Sequence, residues 1–482
     1  IATDTILGWP VATYAMADST IYQSQYGWYT IFPEVNRYEL ARYITPYGNG
    51  LSLGNGWTWT FDVSDYVTLL HDSVHLAAGN WQELLDVKFL MVLGTPSRDV
   101  LDIQNLYNGN FNYGSTGDPI ESHLPPLTIN IPSNAVNSRW KSRVTGHGMD
   151  TPENCAEFCP KNQFYFVNNT LQYTKLVWRD NCDYNPLYPQ GGTWVYDRAN
   201  WCPGAEVWTY DFELTPFVTP GNPAVLNHDC TPYTHTGGWD YYQIEDQVVY
   251  YGAPNFTLDA SLEDILSPST NQMWLRNNPV CTNPIIKIKN NGSTILTSLT
   301  INYGLNGGPQ SVYNWTGNLS FLDTATIFLG NFAWVTGATD FNVTISNPNG
   351  GTDQYVHNNS ITNKFTYPQV MPSMMVIELK TNNRPWENSY TLKNSAGAVV
   401  HSRANMSANT TYKDTLLMPF DCYEFRMTDV GEDGLTWWAN TTQGSGYLRF
   451  RNVSPSTVIK TFNADFGGEV YQQFTVGLTN ST

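Results

Sequence analysis

The chain has 482 residues, which is too many for a single hydrophobic core, so about three or four domains are expected. Its formal net charge is −18, its pI is about 4.7, and no cluster of Lys or Arg occurs. This balance argues against nucleic acid and anionic membranes as partners. No run of about 18 consecutive apolar residues occurs, so no membrane span is expected.

The composition indicates an all-β protein. Aromatic residues make up 14% of the chain, and Gly, Pro, Asn and Thr separate short runs that are rich in Val, Ile, Thr and Tyr. The sequence opens IATDTILGWP, without an initiator Met or a signal sequence, which indicates a processed or truncated form.

Four domains follow from the alternation of apolar and polar residues and from the turns between runs. Residues 1–100 and 101–265 each predict a β-sandwich. Residues 281–367 carry Asn-Gly and Gly-Gly turns between clean strands, which is typical of an immunoglobulin-like sandwich. Residues 368–482 predict a further C-terminal β-domain.

The cysteines favour disulfides and an oxidising, extracellular setting. Seven are present: Cys155, Cys159, Cys182, Cys202, Cys230, Cys281 and Cys422. The first four stand close together in loop-rich segments, which is typical of a disulfide framework. Zinc is the alternative, but a second closely spaced pair is missing. The last three cannot all pair among themselves, so at least one thiol is left over or bonds elsewhere.

The stretch from residue 146 to residue 204 contains the candidate site. Glu157 stands between Cys155 and Cys159, and the loop between the next two cysteines ends with Arg198 and Trp201. A carboxylate, a guanidinium and aromatic rings held in small loops suit a polar, sugar-like substrate. The alternative is that Glu157 and Arg198 form a buried ion pair that only holds two loops together.

Several stretches of the first 265 residues resemble the peptide-N-glycosidase F family, whose members hydrolyse the glycan-bearing asparagine amide. They are RYELARYITPYG, FDVSDYVTLL, GTP at residues 94–96, TGHG, CAEFC and DRANWCPG. The resemblance implies two adjacent jelly-roll sandwiches with the active site at their interface, a glycan or glycoprotein as substrate, and no cofactor. It also implies that Cys155 pairs with Cys159, and Cys182 with Cys202.

The resemblance assigns roles to individual residues. The family's glutamate in the small disulfide loop corresponds to Glu157, which would position substrate and water. The family's arginine corresponds to Arg198, which would stabilise charge. Trp201, Phe158, where the family has tryptophan, and His147 would line the substrate-binding site.

Two differences from the family leave open whether this chain is an active enzyme. The family's essential aspartate lies in a Trp-Asp-Arg sequence that this chain lacks, and Asp18 is the nearest acidic candidate. The family's second glutamate aligns with Trp81, and Glu83 lies two positions on. The alternative function is therefore a non-catalytic surface adhesin, structural protein or glycan-binding protein that has lost the catalytic aspartate.

The C-terminal segment resembles β-domains of bacterial proteins that use type IX secretion. This resemblance implies a secreted or outer-cell-surface protein, with other surface or secretion-system proteins as further partners. The turn that contains Asp429 and Asp433 clusters oxygens in a manner that suits a structural calcium ion, and a plain acidic turn is the alternative.

Overall fold

The computed structural model describes two compact units of the chain, residues 1–40 and residues 41–482. Its described residues are the backbone of the strands Ala2–Ile6 (β1) and Trp9–Thr13 (β2), and residues 36–48, 51–79, 84–332, 335 and 337–477. In the first unit, β1 and β2 form an antiparallel hairpin in which Ala2 lies opposite Thr13. The described strands of the second unit form three pairs of sheets and one short hairpin.

The first sheet pair contains the candidate site. Its strands, with a small hairpin formed by β6 and β7, are Arg98–Asn112 (β3), Leu127–Asn130 (β4), Asn137–His147 (β5), Met149–Asp150 (β6), Cys155–Ala156 (β7), Lys161–Val167 (β8), Thr170–Val177 (β9), Tyr210–Glu213 (β10), Pro223–Cys230 (β11) and Tyr241–Pro254 (β12). The antiparallel orders are β10-β5-β12-β3 and β4-β11-β8-β9.

The two sheets share one core because alternate side chains of each strand point to the same face. Along β8, Gln163, Tyr165 and Val167 are buried, while the residues between them are partly exposed. Trp140 of β5 packs edge-on against Tyr165, with ring centroids 5.1 Å apart. Both rings are fully buried, so these aromatic residues fix the distance between the sheets.

The second sheet pair has its own hydrophobic core. Its strands are Ala260–Ser267 (β13), Ile285–Asn290 (β14), Leu296–Leu305 (β15), Ser311–Leu319 (β16), Thr324–Phe328 (β17), Asp340–Ser346 (β18) and Ser360–Lys364 (β19). The orders are β13-β14-β17 and β16-β15-β18-β19. The first of these strands lies ahead of residue 281, where the sequence places the start of this sandwich.

The third sheet pair also packs around a separate core. Its strands are Gln369–Met371 (β20), Met374–Lys380 (β21), Asn388–Asn394 (β22), Val399–Arg403 (β23), Thr411–Leu417 (β24), Asp421–Asp429 (β25), Tyr447–Asn452 (β26), Val458–Thr461 (β27) and Glu469–Val476 (β28). The orders are β20-β28-β25-β22-β23 and β24-β21-β26-β27, with β20 parallel to β28.

In the part of the chain that the structure describes, helical structure is limited to short 3-10 turns. These are Ser64–Tyr66, Ile120–Ser122, Cys182–Tyr184, Thr215–Phe217, Gln272–Asn277, Pro348–Gly350, Val356–Asn358 and Trp438–Gln443. Within the described ranges, no helix is long and apolar enough to cross a membrane. The all-β fold class is confirmed, whereas the four domain boundaries stay predictions.

The chain from residue 41 to residue 97 forms no strand in the parts of it that the structure describes. Stretches in which apolar and polar residues alternate have no partner strand there. Residues 42–48 instead run beside a long loop of the first sheet pair. Tyr43 forms an isolated bridge with Glu206, and the amide of Ile44 donates to the carbonyl of Ala205 at 3.0 Å. This segment therefore covers the region that contains the candidate site.

The sheet pairs are tied together by covalent and polar contacts. A disulfide joins Cys281 to Cys422, linking the second pair to the third. The guanidinium of Arg276 donates to four backbone carbonyls in the first and third pairs, those of Asp183, Asn185, Phe466 and Glu469. Of the seven cysteines, only Cys230 is a free, buried thiol.

We predict that the double variant Cys281→Ser, Cys422→Ser lowers the free energy of unfolding by about 2 to 4 kcal/mol. The bridge spans a sequence separation of 141 residues, so its loss returns much freedom to the unfolded chain. Guanidinium denaturation followed by fluorescence measures the change. Wild-type protein with its disulfides reduced is the control, and equal stability of the variant and the oxidised wild type would contradict the prediction.

Candidate active site

Glu157 lies in a tight loop closed by the disulfide between Cys155 and Cys159, whose Cα atoms are 4.9 Å apart. The amide of Glu157 donates to the carbonyl of Gly148 at 2.8 Å, and its own carbonyl accepts from the amide of Ala199 at 2.9 Å. These bonds fix the loop to the end of β5 on one side and to the Arg198 segment on the other. The side chain of Glu157 is 17% exposed.

Arg198 lies in the loop closed by the second disulfide, between Cys182 and Cys202. Its backbone forms an antiparallel bridge with Arg179, with N–H to carbonyl distances of 2.8 and 3.2 Å. The side chain is completely buried. Both disulfide pairings implied by the resemblance are thus present.

Protein acceptors surround the buried guanidinium of Arg198. Its Nε donates to Glu157 Oε1 at 3.0 Å, and Nη1 donates to the carbonyl of Tyr196 at 2.5 Å. Nη2 donates to both the carbonyl and the Oγ1 of Thr193 at 2.7 Å. A buried charge needs such partners to offset the loss of water, so Arg198 fixes the conformation of residues 193–198 and the position of Glu157.

Aromatic rings enclose the same guanidinium. Its central carbon lies 4.7 Å from the ring centroid of Trp201, 5.0 Å from that of Phe158 and 5.7 Å from that of Tyr47. These distances are within the range of cation–π attraction. The faces of the rings thus provide further stabilisation of a charge that water cannot reach.

His147 extends the aromatic cluster. Its ring stacks on Trp201 at 5.5 Å and on Tyr241 at 5.0 Å, and Trp201 Nε1 donates to the carbonyl of Gly146 at 2.8 Å. The structure thus places His147, Phe158 and Trp201 in one continuous cluster with Glu157 and Arg198. Their roles toward a substrate stay predictions.

The electrostatics of the cluster differ from residue to residue. Burial raises the pKa of Glu157 above its ordinary value, and the charge of Arg198 opposes this rise. Burial, with a contribution from the charge of Arg42, lowers the pKa of His147 to about 4. At neutral pH, His147 is therefore an uncharged ring between two other rings.

Two of the predicted acidic residues, Asp18 and Glu83, lie outside the described residues, as does Trp81. The assignment of a second and a third carboxylate to the site stays a prediction.

Several residues of the cluster were missed by sequence reasoning. The ring of Tyr47 faces Arg198, and Arg42 Nη1 donates to Thr145 Oγ1 at 2.8 Å beside His147. Both stand in the stretch RYELARYITPYG, so the signal was present in the sequence without a role attached. Tyr241, by contrast, carries no signal beyond its place among the many aromatic residues of the chain.

The third sheet pair supports the Arg198 loop from outside. Trp437 packs edge-on against Tyr196 at 5.3 Å, and Trp438 Nε1 donates to the carbonyl of Gly192 at 3.0 Å. Gly192 has φ +58°, and a Cβ atom there would lie 2.2 Å from the ring of Tyr47, so only glycine fits. Trp437 is thus a packing residue.

Potential metal ligands cluster elsewhere. Among the described residues, the only group of three His, Cys, Asp or Glu side chains close enough to share an ion is Glu387, Asp429 and Asp433, in the third sheet pair.

These features define an all-β protein with a buried carboxylate–guanidinium pair set between two disulfide loops and aromatic rings. Residues 118–228 match the family model described as peptide-N-glycosidase F, C terminal, and this range includes the five clustered site residues. Over this region the chain is similar to the peptide-N-glycosidase F family, which confirms the resemblance seen in the sequence.

One curated relative agrees with this assignment. Peptide-N(4)-(N-acetyl-beta-D-glucosaminyl)asparagine amidase F from Elizabethkingia miricola is 30% identical over 229 residues, which are 44% of this chain and 64% of the relative. The chain thus spans less than two thirds of the length of the relative that it matches.

Solved structures with the same name are also similar to part of the chain. A peptide-N(4)-(N-acetyl-beta-D-glucosaminyl)asparagine amidase is 24% identical, with 33% of this chain and 55% of the other covered at a TM-score of 0.31. PNGase F from Flavobacterium meningosepticum, described as a glycosylasparaginase, is 24% identical with the same coverage and a TM-score of 0.30.

We predict that His147→Phe weakens the loss of stability on acidification. The folded-state pKa of His147 is about 4 and the ordinary value is 6.5, so the unfolded chain binds its proton first. The contribution of neutral His147 to the free energy of unfolding is therefore fully present above pH 6.5, and it is lost as the pH falls toward 4. Between pH 7 and pH 5, the wild type should lose about 2 kcal/mol more unfolding free energy than the variant.

Chemical denaturation of both proteins at the two pH values measures this difference. Phenylalanine keeps a ring between Trp201 and Tyr241, and any packing cost of the substitution cancels between the two pH values. Parallel stability profiles of the wild type and the variant would contradict the burial of a neutral histidine.

Proposed function

We propose that the protein hydrolyses the amide bond between an asparagine side chain and an N-linked glycan. The observation that carries the proposal is the Glu157–Arg198 pair, at 3.0 Å, in the part of the chain that matches the family model. Water adds to the amide carbonyl carbon, and the carbon–nitrogen bond breaks. The glycan leaves as a glycosylamine, and the asparagine becomes an aspartate.

In this proposal, Glu157 is the residue that touches the substrate. Its carboxylate accepts a hydrogen bond from the amide or from the attacking water. Arg198 is a positioning residue, because its side chain is fully buried and its nitrogens donate to Glu157, Thr193 and Tyr196. Its charge also opposes the rise in the pKa of Glu157, which keeps the carboxylate available as an acceptor.

The aromatic residues next to Glu157 are the proposed platform for the sugar. Phe158 is partly exposed and packs edge-on against Tyr196, which is 46% exposed. Such ring faces can cover the apolar face of an N-acetylglucosamine unit. Trp201, which is only 5% exposed, would instead pack behind the two exposed rings.

The general base is proposed to come from the N-terminal region, with Asp18 or Glu83 as candidates. Amide hydrolysis needs a base to activate water as well as groups that stabilise the developing charge. The three disulfides support a secreted or cell-surface setting, where N-glycoproteins would be the substrate class. Export by type IX secretion is part of this proposal.

We predict that Glu157→Gln lowers the rate of deglycosylation by about 10² to 10³, as is typical when one hydrogen-bonding group at the reacting centre is removed. The assay incubates the full chain with a denatured N-glycoprotein and detects both the released glycan and the conversion of Asn to Asp by mass spectrometry. The matched control is Glu153→Gln, since Glu153 lies nearby but forms an exposed ion pair with Lys161 at 2.6 Å. It should retain the wild-type rate.

An inactive wild type would refute the amidase proposal, and full activity of Glu157→Gln would refute the role of Glu157. The second candidate function, for an inactive wild type, is glycan binding without hydrolysis. The complete burial of Arg198 behind protein acceptors favours this candidate. Calorimetric titration with an N-glycopeptide distinguishes the two candidates. Saturable binding that leaves the glycopeptide intact supports the second.

A further inference from the structure

We propose that Glu387, Asn388, Asp429 and Asp433 of the third sheet pair form a binding site for a Ca²⁺ ion. Asp429 ends β25 and Asn388 begins β22, and the two residues lie opposite each other in the antiparallel register. Directly opposed side chains on neighbouring strands point to the same face. The turn after β25 then brings Asp433 back to this point.

The carboxylate spacing fits the ion. One oxygen from each of Glu387, Asp429 and Asp433 lies within 4.8 Å of the others. Two oxygens that bind one Ca²⁺ ion at about 2.3 to 2.6 Å are at most about 5 Å apart, so this spacing allows a shared ion. Calcium also accepts irregular sets of carboxylate, amide and water oxygens, so water would complete the coordination sphere.

The side chain of Asn388 is an independent sign of a missing ligand. It is 3% exposed, and neither its amide oxygen nor its amide nitrogen meets hydrogen-bond geometry with any described residue. The strand register, in which Asn388 lies opposite Asp429, places this amide beside the carboxylates. A polar group this deeply buried is costly without a partner, and an ion bound by its oxygen would supply one.

Among the described residues, no buried positive charge balances the negative charges of the cluster. Oδ2 of Asp429 and Oε2 of Glu387 have no hydrogen-bond partner among the described residues. The one arginine in contact, Arg384, reaches the other oxygen of Glu387 at 3.4 Å and is itself 46% exposed. Asp429 and Asp433 are 3% and 5% exposed, so water compensates their repulsion poorly.

The two carboxylates also make some hydrogen bonds that orient them. Gly431 N donates to Asp429 Oδ1 at 2.7 Å, and Asn440 Nδ2 donates to Asp433 Oδ2 at 3.3 Å. These donors hold one oxygen of each carboxylate, which leaves the cluster preorganised for an ion. The same turn, residues 429–438, carries the two tryptophans that support the Arg198 loop. Ion binding would therefore stabilise that support.

Calorimetric titration of the chelator-treated full chain with CaCl₂ tests the proposal. We expect one ion per chain and weaker binding of MgCl₂. Asp429→Asn should weaken Ca²⁺ binding at least about tenfold. The matched control is Asp340→Asn, which removes a carboxylate from a surface ion pair with Lys364 in the second sheet pair and should bind as the wild type does.

Hydrogen exchange provides a second measurement that does not depend on catalytic activity. Ca²⁺ should slow exchange in residues 429–438 of the wild type and leave that segment unchanged in Asp429→Asn. The substitution keeps the side-chain shape and removes a buried charge, so the variant is expected to fold, which circular dichroism checks. No heat and no protection at millimolar Ca²⁺ would overturn the proposal. Wild-type affinity in Asp429→Asn would overturn the site, and equal affinity for Mg²⁺ would overturn the choice of ion.

Discussion

The burial of one guanidinium, that of Arg198, is the constraint on which the candidate site depends. A fully buried positive charge is tolerated only where acceptors replace its hydration. Here the acceptors come from both disulfide loops: Glu157 from the smaller loop, and Thr193 and Tyr196 from the larger one. Neither loop can change its conformation without leaving the charge unpaired, so the pair defines the shape of the site as well as its charge.

This constraint extends outward through the aromatic shell to the rest of the molecule. Trp201 links the guanidinium to His147, and Trp437 and Trp438 of the third sheet pair contact the loop that contains Arg198. The C-terminal sheets are thus part of the structure around the site and not a separate appendage. A function for the protein should accordingly be measured on the full chain.

The sequence predicted the all-β class and the clustered site residues because these signals are local. Glu157 and Arg198 each stand within a short cysteine-bracketed motif that is visible in the sequence, although the contact between them spans 41 residues. Tyr47 was missed because its contact with Arg198 depends on chain packing across about 150 residues of sequence. The disulfide of Cys281 with Cys422 was missed for the same reason. Residues 41–97 show strand-like alternation, but the parts of this stretch that the structure describes form no strand, because a strand also needs a partner.

A double-mutant cycle on Glu157→Gln and Arg198→Met tests this account most directly. If the buried charge depends on its carboxylate, Arg198→Met should lower the free energy of unfolding by about 3 to 5 kcal/mol. Adding Glu157→Gln to Arg198→Met should then cost little more, because the partner is already gone. If the losses of the two single variants sum to the loss of the double variant within about 0.5 kcal/mol, the two side chains act independently, and the account is contradicted.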